Sequence, residues 1–127
     1  MRHISAFIDG LRQPWAQSLT TARRIGLAGV QFTPTGPLAP GSLDATARRI
    51  LRDDLAAHDL TPTALCGDLG GHGFARPDEH AWRLTATRAI LDLVVDLGCT
   101  VVSGHVGVIP ADPRHPRRAV FTQALRQ

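Results

Sequence analysis

The chain has 127 residues, 43% of them hydrophobic and 20% charged, with a net charge of +3. That is room for one domain with a buried core, and no apolar run nears the roughly 18 residues of a membrane span. A pI of about 10.1 raises nucleic acid as a partner, but the residue types argue against it.

All 14 basic residues are arginine, and lysine, asparagine and tyrosine are missing together, as a GC-rich coding bias produces. The arginines are also scattered. Arg23, Arg24, Arg48, Arg49, Arg52, Arg83 and Arg88 fall in predicted helices, and Arg114, Arg117 and Arg118 near the end. A nucleic-acid stripe would gather them on one face or interleave them with aromatics. They read as solvated helix positions, with neither nucleic acid nor membrane as a partner.

His3 to Ile8 is a short apolar run closed by the turn pair Asp9-Gly10, and predicts the first strand. Before it, Met1 to Ser5 lacks the apolar stretch of a signal peptide, so cytoplasm is expected. Pro14 suits the first turn of a helix. Ala16, Leu19, Ala22 and Ile25 then keep helical spacing up to Gly26, a left-handed stop. Gly29 to Phe32 predicts the second strand, followed by a Pro/Gly-rich loop from Thr33 to Gly41.

Ser42 is the expected cap of the second helix, with Asp44 in its first turn. Leu43, Ala47, Ile50, Leu51 and Leu55 form one apolar stripe. Thr61 to Cys66 predicts the third strand, opening into the loop Gly67 to Gly73. The third helix presents Trp82, Ala86, Ala89, Ile90, Leu93, Val94 and Leu97 on one face, with Trp82 in the core, and Gly98 ends it. Cys99 to Ser103 predicts the fourth strand, and Arg117 to Leu125 a last helix after a Pro-rich loop whose Asp112 to Pro116 reads as turn chemistry.

Three segments, ARRIGLAGVQF, LAAHDLTPTAL and VVDLGCTVVSG, each run from an apolar helix through a breaker into an apolar strand. The breakers Gly26, Asp59 and Gly98 are 33 and 39 residues apart, a spacing suited to repeating βα units. Strands joined by such crossovers are parallel. Cys66 at the end of one strand and Cys99 at the start of its neighbour are then too far apart for a disulfide, and two free thiols fit a reducing compartment.

The segment from Leu65 to Pro110 resembles the xylose isomerase-like TIM-barrel superfamily, in its sugar phosphate isomerase/epimerase branch. The signals are Leu97-Gly98 feeding a strand that closes on His105-Val106-Gly107, and the loop Cys66-Gly67-Asp68-Leu69-Gly70-Gly71-His72-Gly73. The resemblance implies a barrel of about 250 residues with its site at the C-terminal strand ends. Four strands make half of it, so the expected fold is α/β, a parallel (β/α)4 half of a TIM barrel, with residues 1–127 as one unit.

In such enzymes a divalent metal (Mn, Mg, Co or Zn) grips vicinal sugar oxygens while carboxylates move a proton through an enediolate. The resemblance places the metal ligands, mostly glutamates, on the later four strands. Glu79, the single glutamate, falls at the start of the third helix. No catalytic residue, metal ligand or cofactor is therefore expected in this chain alone; the metal belongs to a complete barrel.

Four residues are candidates for contact with a sugar or sugar phosphate. His105 sits at a strand end between two glycines, in a position that contacts substrate in related enzymes, or a metal in the apurinic endonuclease branch. A histidine hydrogen-bonded at the rim is the plainer alternative. His72, with Asp68 upstream, lies among glycines that mark a close backbone approach or a tight turn. Gln31, at the end of the second strand, can hydrogen-bond a hydroxyl. Cys66 reads as a buried small side chain, and His3, His58, His80 and His115 as structural or solvated.

Three functions follow. The first is the N-terminal portion of a sugar isomerase or epimerase, inactive without its C-terminal half. The second is a stand-alone half-barrel that dimerises to close its sheet and serves as a binding or interaction module. The third is an apurinic endonuclease-like repair protein, disfavoured by the absence of asparagine and tyrosine. In each, the unpaired first and fourth strands predict that the isolated chain associates or dissolves poorly.

Overall fold

The computed structural model describes residues 3–127; Met1 and Arg2, part of the leader reading, lie outside the described residues. Four strands, Ser5–Phe7 (β1), Gly29–Phe32 (β2), Thr61–Cys66 (β3) and Val102–Ser103 (β4), form one sheet in the order β1-β2-β3-β4, and every pairing is parallel. The connections run through Trp15–Arg24 (α1), Ala45–Ala57 (α2) and His80–Asp96 (α3), and Pro116–Leu125 (α4) follows β4. This is the alternating crossover architecture that the repeat predicts.

Strand side chains alternate between faces, so the two faces differ sharply. Val30, Phe32 and Leu65 point into the helix layer and are fully buried with Leu19, Leu55 and Leu93. The opposite face carries Phe7 beside Gln31 and Cys66 beside Ser103. Phe7 is 45% exposed there, and all three residues of β1 are exposed. One face is packed and the other is open.

The three breakers do the same job in the same way. Gly26, Asp59 and Gly98 all adopt positive φ, at 84°, 52° and 70°. The next residue, Leu27, Leu60 or Cys99, turns back to donate its N–H to the carbonyl five residues earlier, on Ala22, Leu55 and Val94. This is the Schellman closure, and in each case it buries that next side chain. It also shortens the fourth strand. Cys99 is consumed in ending α3, so β4 covers Val102–Ser103 instead of the expected Cys99 to Ser103.

Other expectations shift for local reasons. Asp44, not Ser42, caps α2, its Oδ1 accepting from the Ala47 N–H at 2.8 Å; Ser42 ends a separate 3₁₀ turn. Ile50 and Trp82 are about half exposed and not core. Trp82 is displaced by its neighbour: Arg83 turns inward, with 4% of its surface exposed. Both cysteines are free thiols, as expected.

Several arginines read as solvated in fact join successive units. Arg23 on α1 donates to the Asp59 carboxylate at 3.2 Å, beyond the end of α2. Arg48 and Arg52 on α2 reach Asp96, the last residue of α3, through its carboxylate and its carbonyl. Arg88 on α3 donates to the Gln127 carbonyl at 3.0 Å, just past α4. Each helix thus grasps the C-terminal end of the next, where free carbonyls concentrate negative charge.

Candidate functional site

The C-terminal strand ends collect the loops that carry the candidate residues. Gln31 lies on the open face of β2, next in register to Ala64, whose single methyl leaves room above β3. Its Nε2 spans β3 and donates to the Ser103 hydroxyl on β4 at 2.7 Å. The amide nitrogen of Gln31 is therefore held by β4. Ser103 was not singled out from the sequence, because a strand serine shows its role only once β4 lies two strands from β2.

Asp68 shapes its own loop: Oδ1 accepts from the Gly70 N–H at 2.8 Å, an Asx turn. His72 is exposed and precedes a 3₁₀ turn, Gly73–Ala75. The glycines around it do mark a close backbone approach. A Cβ on Gly73 would collide with the Val106 backbone, and one on Gly107 would come within 2.5 Å of the His72 carbonyl. Phe74 N–H then donates to Val106 O at 2.8 Å, locking the loops after β3 and β4 back to back. Only glycine tolerates both the contact and the positive φ at these two positions.

His105 is exposed in the second of these loops and lines a cavity of about 340 Å3 together with Gly67, Gly104, Val106 and Arg83. Arg83 is the residue that sequence reasoning missed. Its Nη2 lies 2.7 Å from Glu79 Oε2 and its Nη1 donates to the Gly70 carbonyl at 3.0 Å. The guanidinium also sits 4.5 Å from the Trp82 ring. The signal was present: Glu79 and Arg83 are four residues apart, the spacing of a helical ion pair. What the spacing hid was burial. The chain's one glutamate is thus occupied in holding the loop after β3.

The four candidates do not converge. No direct hydrogen bond links Gln31, Asp68, His72 and His105, and no three His, Cys, Asp or Glu side chains come together to hold a metal ion among the described residues. His58 packs structurally against Thr20 and the Asp54 carbonyl, His80 against the Phe74 carbonyl, and His115 caps α4 by accepting from the Arg117 N–H. No helix among the described residues is long and apolar enough to cross a membrane.

No protein-family model matches the chain, and no curated protein does. Solved structures do. A xylose isomerase domain protein from Planctomyces limnophilus superposes with a TM-score of 0.76 at 18% identity, over 97% of this chain and 47% of that one. 3-Keto-D-glucoside 4-epimerase, YcjR, from E. coli gives 0.67 at 15% identity, over 98% and 50%. An AP endonuclease of family 2 from Brucella melitensis gives 0.62 at 19% identity, over 98% and 48%. The chain spans about half the length of each, and with four parallel strands and interleaved helices it has the α/β fold of half a TIM barrel.

Proposed function

We propose that this chain is one half of a sugar isomerase or epimerase, inactive alone, whose catalytic carboxylates and metal ligands arrive with a complementary set of four βα units. The observation that carries this reading is the match to 47% of a xylose isomerase domain protein at a TM-score of 0.76, by a sheet whose inner face is open. Among the described residues no three His, Cys, Asp or Glu side chains come together to hold a metal ion on their own. Proton transfer between adjacent sugar carbons needs a base within hydrogen-bond reach. The single glutamate is bonded to Arg83 and is not free for that task.

This half supplies binding groups instead. The Gln31 amide, oriented by Ser103, presents an acceptor oxygen on the inner face, and the exposed His105 imidazole presents a donor or an acceptor at the rim. A closed barrel would bring both over a bound sugar. Substrate phosphorylation and cytoplasmic location belong to the same proposal.

The test is completion. The chain is joined to a C-terminal half taken from the Planctomyces limnophilus protein, and exchange of sugar C–H protons with solvent is followed by NMR in the presence of Mn or Mg. Exchange by the completed barrel and none by the isolated chain is the expected result. A folded, completed barrel that exchanges no proton on any aldose or ketose overturns the reading.

A second reading has its own support. Phe7 is 45% exposed on the open face, and β1 and β4 are free edges, which a second copy of the chain could cover. A concentration-dependent dimer in light scattering that Phe7→Asp abolishes would favour it; a monomer at all concentrations would remove it. The endonuclease resemblance, at a TM-score of 0.62, adds no feature of its own.

A further inference from the structure

The series of arginine clasps stops at α4, and we propose that the groove along this helix is a docking site for a further helix end. The occupant is the C-terminal end of a helix from another protein, with an aspartate or glutamate in or just past its last turn. α1, α2 and α3 each reach such an end on the helix that follows, at Asp59, Asp96 and Gln127. α4 carries the same kind of arginine and holds no helix end.

The counterpart of Arg48 on α4 is Arg118. Arg48 stands in the first turn of α2 and donates to the Pro40 carbonyl, eight residues back, at 3.2 Å and to the Leu43 carbonyl at 3.0 Å. Those bonds fix its guanidinium, whose Nη1 then meets the Asp96 carboxylate. Arg118 stands in the first turn of α4. Its Nη1 donates to the Pro110 carbonyl, again eight residues back, at 3.2 Å and to the Ala111 carbonyl at 3.3 Å. Its Nε and Nη2 have no partner among the described residues. A fork already held at one end loses less freedom on meeting a carboxylate than a mobile one.

Arg118 lines a groove of about 750 Å3 with Arg114, His115, Thr122 and Arg126, and no aspartate or glutamate lines it. The groove lies on a face of α4 other than the one that Phe121 and Ala124 bury. Such a lining attracts negative charge. A helix C-terminus supplies it twice, in its free carbonyls and in a carboxylate beside them. A second copy of the chain is the wrong partner. The ends of α2, α3 and α4 are already held, and the remaining one, that of α1, carries Arg23 and Arg24 with no acid. Arginine would meet arginine. The inference deepens the proposed function, and rests on it for the view that the complementary βα units supply the helix.

The probe is the chain's own third unit. Residues 61–98, whose helix ends on Asp96, are repeated after Gln127, and hydrogen exchange is followed in the added helix. A control extension repeats residues 5–26, whose helix ends on Arg23 and Arg24. Protection of the first added helix and not of the second is expected. Asp96→Asn in the added copy alone leaves the original chain untouched and should lower the protection about fivefold. Arg118→Ala should act by a similar factor, and the two together should do little more than either. In a second measurement, the unextended chain is titrated with a peptide of residues 80–98 while the arginine Nε–H resonances are recorded by NMR. The peptide should shift Arg118, and its Asp96→Asn form should shift it about half as far or less.

Either response, lost with Asp96→Asn, supports the clasp. An unprotected added helix together with an unshifted Arg118 overturns it, and so does a response that Asp96→Asn leaves unchanged. Equal protection in the control extension, or an equal shift of Arg118 by inorganic phosphate, overturns it too. A dimer of the unextended chain that Arg118→Glu dissolves would give the groove to a second copy instead. Catalysis by the completed barrel with no response at Arg118 would sink the clasp alone. A responsive Arg118 with no catalysis would sink the proposed function alone.

Discussion

The two faces of the same sheet were built to different standards. On the helix side, Val30, Phe32 and Leu65 have no exposed surface, and arginines tie each helix to the next. On the other side, Phe7 is 45% exposed and the polar pair Gln31–Ser103 crosses β3 as an exposed hydrogen bond. The strands are the same strands, and only the parity of the residue differs. Local units can thus be complete on the side their own helices cover, while the opposite side stays open.

The sharpest test of this contrast sets Phe32 against Phe7. Phe32→Ala should cost about 3–5 kcal/mol in urea denaturation, because it empties a filled core position. Phe7→Ala should cost roughly 1 kcal/mol or less, since its ring is already partly in water. Equal losses would mean that something covers the open face in solution, and the contrast would fail.

The next effect concerns the buried ion pair. Glu79→Ala should cost about 3 kcal/mol, because it leaves the Arg83 guanidinium buried without its carboxylate. The expected signature in hydrogen exchange is loss of protection in the loop after β3, with β1 and β2 unchanged. A smaller effect is expected at the helix clasps. Arg48→Ala should cost about 1 kcal/mol, more than a fully solvated pair, because Arg48 also donates to the Leu43 and Pro40 carbonyls. Asp59→Gly should be nearly neutral by thermal melt, losing the Arg23 pair while easing a positive φ.

The smallest effect is electrostatic. The hydrogen bond from Arg76 holds the Asp78 carboxyl below its ordinary value, even though both groups are exposed. A depressed carboxylate contributes stability above its unfolded pKa and loses it as pH falls through the folded one. The Asp78 carboxyl resonance should therefore titrate at lower pH than in an Arg76→Ala variant, with little change in the melt.

Much of the architecture could be read from the sequence because it is local. The strand Thr61–Cys66, the strand Gly29–Phe32 and the stops at Gly26, Asp59 and Gly98 each follow from a few neighbouring residues. What escaped depends on rotation or distance. Whether Trp82 or Arg83 faces inward is decided by the Gly70 carbonyl thirteen residues before Arg83. The bond from Gln31 to Ser103 needs partners 72 residues apart. The candidates His105, His72, Asp68 and Gln31 stand at strand ends or in the loops after them, which topology brings to one rim and which local spacing cannot join into a site.

The arginine clasps carry a consequence for how the molecule is made. Each one reaches forward along the chain, over 36, 44 to 48 and 39 residues, to a group that leaves the ribosome later. During synthesis from the N-terminus each clasp can therefore close only after the following helix has emerged. Short forward spans keep every step a modest loop closure. Reversing the order of the units, by circular permutation between α2 and β3, would make Arg48 and Arg52 emerge after their partner, and folding during synthesis should become less efficient even where the final stability is kept.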